Sequence, residues 1–279
     1  MDPVRALLDA GGVSRWKELH EAGVSRGTLL ASVAEGRVTR PHRGCYALPA
    51  ARFEDVDATI FRGTPCCVSV LVAHEVPVIP WPMRAHVAVP DSRSLARPGL
   101  RRVDRVVIHR SVRYPMRRMG EIAVALDLCS HCLEPAAQLA AIEGAVRKGI
   151  VARDVIRGFR VTSPSRRRWL AARLDPSAES PTETLARVVM RDAGLDVRPQ
   201  VDFDRVGRVD FLVEGKVIVE CDGKTYHSDP EAFQRDRDRD RALTTRGHLV
   251  LRYTYFDVLL RRGEFEPDVR ATLWRHGAR

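Results

Sequence analysis

The chain has 279 residues, 44% apolar and 29% charged, and its 46 Lys and Arg against 36 Asp and Glu give a formal charge of +10. The apolar fraction excludes wholesale disorder, and the length predicts two domains, or two with a third small one. The longest apolar stretch, residues 66–81, is interrupted by His74, Glu75, Pro77 and Pro80, far from the ~20 unbroken residues of a membrane span. No n-region, h-region and cleavage-site series opens the chain, and six cysteines are too sparse for a disulfide scaffold. A cytoplasmic protein without membrane association is therefore expected. The basic excess is nearly all arginine, with Lys only at 17, 148, 216 and 224. Residues 84–120 hold ten arginines against Asp91 and Asp104, and residues 160–174 hold five with no acid. Charge concentrated in this way fits a phosphate-binding face, so nucleic acid is the first partner expected.

Three short helical patterns fill the first fifty residues. Residues 3–10 stop at Gly11-Gly12. Ser14 can cap a second helix with Trp16, Leu19 and His20 at helical spacing, and Gly23 ends it. Ser25 caps a third, over 26–35, with Leu29, Leu30 and Val33 on one face. After it, two short extended runs flank Pro41-His42-Arg43-Gly44, which reads as a β-wing. Together these predict a winged helix-turn-helix over 1–50, whose third helix enters the major groove. Arg26, Thr28 and Ser32 are its outward candidates, and Arg40, His42 and Arg43 on the wing suit phosphates or the minor groove. A winged helix that binds protein is the other reading.

The turns Gly12-Val13-Ser14, Gly23-Val24-Ser25-Arg26 and Gly36-Arg37-Val38, with Arg43-Gly44-Cys45-Tyr46-Ala47-Leu48, resemble the AbiEi-type antitoxin winged-helix domain over about 45 residues. Residues 51–165 read as a mixed α/β middle domain, general in pattern and comparable with the second segment of AbiEi-like proteins. Strands are expected at 68–72, 86–89 and 104–109, and helices at 121–132 and 135–148. Cys129-Ser-His-Cys132 invites a zinc reading, but a structural site needs four ligands, normally from two knuckles. The adjacent Cys66 and Cys67 make a poor second knuckle, so buried small thiols on an apolar helix are expected.

Residues 166–279 carry the more specific signals. Ser180 at N-cap, Pro181 at N1 and Glu183 at N3 form a capping box with a proline start. Residues 206–213 and 217–222 read as a hairpin. With Glu214-Gly215-Lys216 as its loop, Val213 pairs with Val217 and Asp210 lands opposite Glu220. Asp210, Glu220 and Asp222 then share one face, and Val209, Phe211, Val219 and Cys221 the other. A two-residue loop would turn Asp210 away from Glu220. Three acids on a hydrophobic hairpin repel one another unless a cation sits between them, and a hard divalent ion, Mg²⁺ or Mn²⁺, answers that problem.

Thr182-Glu183, Val209-Asp210-Phe211, Glu220-Cys221-Asp222-Gly223 and His227, followed by Asp236, Arg239, Leu243 and the 247–253 run, resemble the PD-(D/E)XK nuclease superfamily. The branch most similar is the uncharacterised-domain family related to very-short-patch-repair (Vsr) endonucleases. The resemblance spans about 80 residues and implies a restriction-endonuclease-like α/β/α core. The whole chain is then an α/β, multi-domain protein. It further implies that Asp210 and Glu220 hold the metal, that Glu183 reaches in from the preceding helix, and that His227 stands at a catalytic position. Glu183 is equally accounted for as a capping-box residue. Asp222 replaces the superfamily lysine, so Asp222 or His227 would position or deprotonate the water, and Lys224 is not an obvious substitute. The charged run 236–241 reads as a mostly solvated helix in which Asp236 or Arg239 braces the site or touches a phosphate, and 247–253 as a buried strand with Arg252 at its end. The function expected is a metal-dependent DNA endonuclease or nickase, in DNA repair or defence, acting on double- or single-stranded DNA. The alternative is an antitoxin-like transcriptional repressor with a non-catalytic nuclease fold. Many winged-helix proteins dimerise to read paired half-sites, so a homodimer is an added expectation.

Overall fold

The computed structural model describes residues 1–95, 105–222, 230–275 and 277, with the backbone alone at 222, 230–233, 235, 236 and 262. The chain divides into two compact units, one of Met1–Glu75, Trp81–Cys132 and Gly158–Thr162, the other of Val76–Pro80, Leu133–Arg157 and Ser163–Arg279. The expected middle segment, 51–165, thus contributes to both. Among the described residues no helix is long and apolar enough to cross a membrane.

The first unit opens with α1 (Pro3–Asp9), β1 (Val13–Arg15), α2 (Trp16–Glu21) and α3 (Arg26–Ala34), followed by β2 (Thr39–His42) and β3 (Cys45–Ala47). Helix α2 starts one residue later than Ser14 alone would set it. Arg15 is its N-cap, and Glu18 at N3 accepts from Arg15 N–H at 2.7 Å and from Ser14 Oγ at 3.0 Å. Ser25 caps α3 by accepting from Thr28 N–H. Leu7, Leu19, Val24, Leu29, Val38 and Tyr46 close a small core, and the sheet order is β1-β3-β2. Two expectations for α3 change. Ser32 is fully buried rather than outward, and Leu30 is exposed, because the face that meets the core is centred on Leu29 and Ser32.

Next come α4 (Phe53–Phe61), β4 (Thr64–Pro65), α5 (Cys67–Ala73), β5 (Ala85–Val89), β6 (Val106–Arg110) and α6 (Ile122–Leu128), with a 3-10 turn at Cys129–His131. The apolar run 68–72 is helix α5, not a strand. It is buried at each of residues 67–71, and a short run without polar alternation carries no period to separate the two states. Strand β5 is buried throughout, pairs parallel with β6 and antiparallel with β4. A Cβ on Gly63 would sit 2.2 Å from the Ala88 carbonyl oxygen, so only glycine lets the α4–β4 connection pass this close to β5.

Asp127, on α6, is fully buried and ties this unit together. It accepts from Tyr114 OH at 2.6 Å and from the N–H groups of Arg160, Val161 and Thr162 at 2.6, 2.9 and 2.7 Å. Burial pushes its pKa up, but the bonds from Thr162, Tyr114 and the backbone outweigh burial and hold it below the usual Asp range. A depressed folded pKa gives stability that is present above the unfolded value, about 3.9, and lost as pH falls through the folded value. Asp127→Asn is expected to cost about 2 kcal/mol near neutral pH, because its NH₂ cannot accept from those donors. Urea unfolding should show the gap to wild type constant above about pH 5 and closing below the ordinary Asp range. A gap unchanged at acid pH would show that the carboxylate is not responsible.

The second unit contains α7 (Pro135–Arg147), α8 (Pro164–Arg173), α9 (Pro181–Asp192), β7 (Val197–Phe203), β8 (Gly207–Val213), β9 (Val217–Asp222), α10 (Pro230–Thr245), β10 (Leu249–Thr254), α11 (Tyr255–Leu260) and α12 (Arg262–Arg275). Its sheet runs β10-β9-β8-β7, antiparallel except for the parallel pair β9 and β10. Phe211, Val213, Val217, Val219 and Cys221 share one core with Leu185 of α9, Val258 of α11 and Phe265 of α12. Leu212 and Ile218 share a second with Leu243 of α10. Helices therefore cover both faces of the sheet. β10 is an edge strand, so Leu249, Val250 and Leu251 are only half-buried and Arg252 sits within the strand, not at its end.

Candidate active site

Loop chemistry sets the register on which this site depends. Glu214 (φ 50°) and Gly215 (φ 66°) both take the left-handed conformation, and Lys216 N–H closes the turn on Val213 C=O at 3.0 Å. Val213 pairs with Val217, Leu212 with Ile218 and Phe211 with Val219, the register of a three-residue loop. That register carries Asp210 to Glu220. Glu220 Oε2 lies 3.3 Å from Asp210 N, and Asp210 Oδ2 accepts from Cys221 N–H at 2.8 Å. The regular ladder stops here, and Gln200 on β7 has φ 53°. Beyond the interruption Val209 packs with Leu212, Ile218 and Leu243, not with Phe211 as strict alternation requires.

Glu220 is buried, and its carboxyl is pushed up to about 7, by burial first and then by the charge of Asp210, with Arg239 opposing. Arg239 reaches over from α10, its Nη2 lying 2.8 Å from Glu220 Oε1 and donating also to the Arg208 carbonyl. Arg252 on β10 pairs with Asp240 at 2.8 Å and adds positive charge near Glu220. Arg239 therefore braces Glu220 directly.

Glu183 is buried at the start of α9. Ser180 Oγ accepts from Glu183 N–H at 3.1 Å, but the reciprocal half of the capping box is absent. Glu183 Oε2 instead accepts from Glu179 N–H at 2.8 Å and from Gln200 Nε2 at 2.9 Å. Burial, and then the Asp210 charge, hold its carboxyl above the ordinary Glu range against the Glu179 bond. Asp222 closes β9 opposite Thr254. Lys224 and His227 lie outside the described residues, and so does the side chain of Asp236.

On the N-terminal sheet and helices, Arg26, Thr28, Arg40 and Arg43 are exposed and His42 is half-buried. Arg43-Gly44 forms the tip of the β2–β3 hairpin, where His42 pairs with Cys45, so Pro41 and His42 belong to a strand. Arg40 lies over the Tyr46 ring, 5.8 Å from its centre.

Among the described residues, one group of His, Cys, Asp or Glu side chains brings three or more ligand atoms within 4.8 Å of one another: Cys67, His86, His109 and Cys132 of the first unit. Glu183, Asp210 and Glu220 are not drawn that close. The expectation of buried thiols holds for Cys129, but Cys132 is exposed, because the α6 helix ends before it. Sequence reasoning also missed the buried pair of Arg187 on α9 and Glu143 on α7, which meet at 2.6 Å. An acid inside the apolar run of α7 was the available signal.

Comparison with curated proteins found no match. Residues 183–273, which run from Glu183 through the hairpin and α10 into α12, match the family model REase_MTES_1575, so this part of the chain is similar to a restriction-endonuclease-like family.

Proposed function

We propose that the protein is a metal-dependent DNA endonuclease or nickase, serving repair or defence, whose N-terminal unit binds DNA as a winged helix. One observation carries the nuclease reading: within a domain of restriction-endonuclease-like family, Asp210 and Glu220 are brought together across the hairpin with Glu220 buried. Two adjacent carboxylates, one raised to about 7, are a costly arrangement for a purely structural hairpin. The donors are hard carboxylate oxygens, the chemistry that suits Mg²⁺ or Mn²⁺, which Asp210, Glu220 and Glu183 would hold. A bound ion of this kind polarises a phosphodiester and lowers the pKa of water beside it. The chain's own residues would do the rest. Arg239 balances the Glu220 charge, Gln200 and Glu179 N–H orient Glu183, and Asp222 or His227 positions the attacking water, with Lys224 nearby in sequence.

Two features favour the second reading, a DNA-binding repressor with an inert nuclease fold. Arg239 already neutralises Glu220, and the three carboxylates do not converge. Supercoiled plasmid, single-stranded DNA and RNA incubated with the protein in Mg²⁺, Mn²⁺ or EDTA separate the two. Metal-dependent cleavage of DNA supports the enzyme, and no cleavage of any substrate rejects it.

The winged-helix reading rests on α1 to α3, the β2–β3 hairpin and the exposed Arg26, Thr28, Arg40 and Arg43, with His42 beside them. Arg167 and Arg168 from the basic run line a cavity of about 560 Å³ with Arg153 and Arg157, a second place suited to phosphate. Replacing Arg40 and Arg43 together by alanine should weaken DNA binding and flatten the plot of log K against log salt by about 1.8. An unchanged slope would remove the wing from the phosphate contacts.

A further inference from the structure

We propose that Cys67, His86, His109 and Cys132 form a zinc site in the first unit. The four residues are far apart in sequence and converge by topology. His86 on β5 and His109 on β6 project from one face of a parallel pair, where Ala88 is the register partner of His109 and His86 stands two residues earlier. Their Nδ1 and Nε2 atoms face each other at 3.1 Å, and both rings are buried. Helix α5 brings in Cys67. Cys66 N–H donates to the His86 carbonyl at 2.9 Å, and His86 N–H donates to Ser69 Oγ at 2.8 Å, so the start of α5 is fastened to the residue whose ring it must meet. Cys132, beyond the 3-10 turn, completes the set with its Sγ 3.6 Å from His109 Nε2.

These separations match those of a tetrahedral zinc shell. With Zn–N bonds of about 2.0–2.1 Å and Zn–S bonds of about 2.3 Å, paired nitrogens stand about 3.3 Å apart and a nitrogen and a sulfur about 3.6 Å. All four ligand atoms already lie within 4.8 Å of one another. Two thiols and two imidazoles are the donors that select zinc over the hard ions expected at the carboxylates. Cys67 also holds φ at 51°, a left-handed conformation that a residue with a Cβ adopts only under strain, and such strain is characteristic of ligand-binding positions. Access is open on one side. His109 and Cys132 line a cavity of about 640 Å³, and Cys132 itself is exposed. Four protein ligands leave no position for substrate, so the role is structural: the ion would staple α5, β5, β6 and the end of α6.

The full-length protein, purified without chelators from zinc-supplemented cells, should carry about one zinc per chain by mass spectrometry. Cys132→Ser, at an exposed position, should lose the ion while circular dichroism shows it folded, since removing a ligand exceeds the ~10–100-fold affinity cost of disturbing an outer shell. Cys129→Ala and Asp210→Asn should keep it. Cobalt exchanged into the wild type should give the intense visible bands of a tetrahedral ion and thiolate charge transfer. Zinc-free folded protein without a tetrahedral cobalt spectrum overturns the proposal. So does iron in place of zinc, zinc retained by Cys132→Ser, or zinc lost by Asp210→Asn.

Discussion

Asp210→Asn and Glu220→Gln are each expected to lower the single-turnover rate of the proposed metal-dependent DNA cleavage by at least about 10³-fold. The size follows from what they remove. A catalytic divalent ion contributes several kcal/mol to transition-state stabilisation, and each 1.36 kcal/mol is about tenfold in rate. Amides are the better test than alanine. Asp210 accepts the Cys221 N–H at 2.8 Å, and the Asn oxygen retains that bond, so the hairpin keeps its register while a charged ligand is lost. Glu220→Gln likewise keeps shape beside Arg239. Circular dichroism and thermal unfolding close to wild type, with cleavage gone, would assign the loss to chemistry. A loss of cleavage accompanied by unfolding would instead make the acids structural, and retained cleavage would remove them from the site.

The largest stability effect is expected at Arg187→Met. Arg187 and Glu143 side chains are each only 1% exposed and meet at 2.6 Å. The network around them is closely tied. Thr184 Oγ1 and Asp175 N–H donate to Glu143 at 2.6 and 2.8 Å, and Arg187 Nη1 donates to the Arg173 carbonyl at 2.9 Å. Removing one member of such a pair leaves an uncompensated buried charge and costs about 3–5 kcal/mol. For a unit of this size that lowers the unfolding midpoint by roughly 10 °C. The double change Arg187→Met with Glu143→Leu removes both charges and should recover much of the loss, because desolvation of the pair offsets much of its attraction. A single variant that melts within 2 °C of wild type, on a scale of about 2–4 °C per kcal/mol, would contradict this account.

The hairpin was legible because two local signals agree: the Glu214-Gly215 turn, and Phe211, Val213, Val217 and Val219, which group on one face in the three-residue register. Likewise Ser180-Pro181 marks the start of α9 by cap chemistry alone. The apolar run in α5 was not legible, since full burial erases the period that distinguishes helix from strand. Ser32 and Leu30 exchanged roles for a related reason: in a helix of nine residues, a one-position rotation of the buried face changes which side chains point out. The Cys and His cluster was hidden more deeply. Cys132 marks one corner, but His86 and His109 become neighbours only once β5 and β6 pair in parallel, and no spacing in the sequence encodes that pairing. Arg187 and Glu143 escaped for the same cause, their meeting being set by the packing of α9 on α7.

Nicking of supercoiled plasmid by wild type and Asp210→Asn, side by side in Mn²⁺ and in EDTA, tests most directly the proposal that the acids of the β8–β9 hairpin make this domain a nuclease. Wild type should give open-circular or linear product with Mn²⁺, with none in EDTA and none from the folded variant. Absence of product from wild type, or an equal rate from Asp210→Asn, would contradict that proposal.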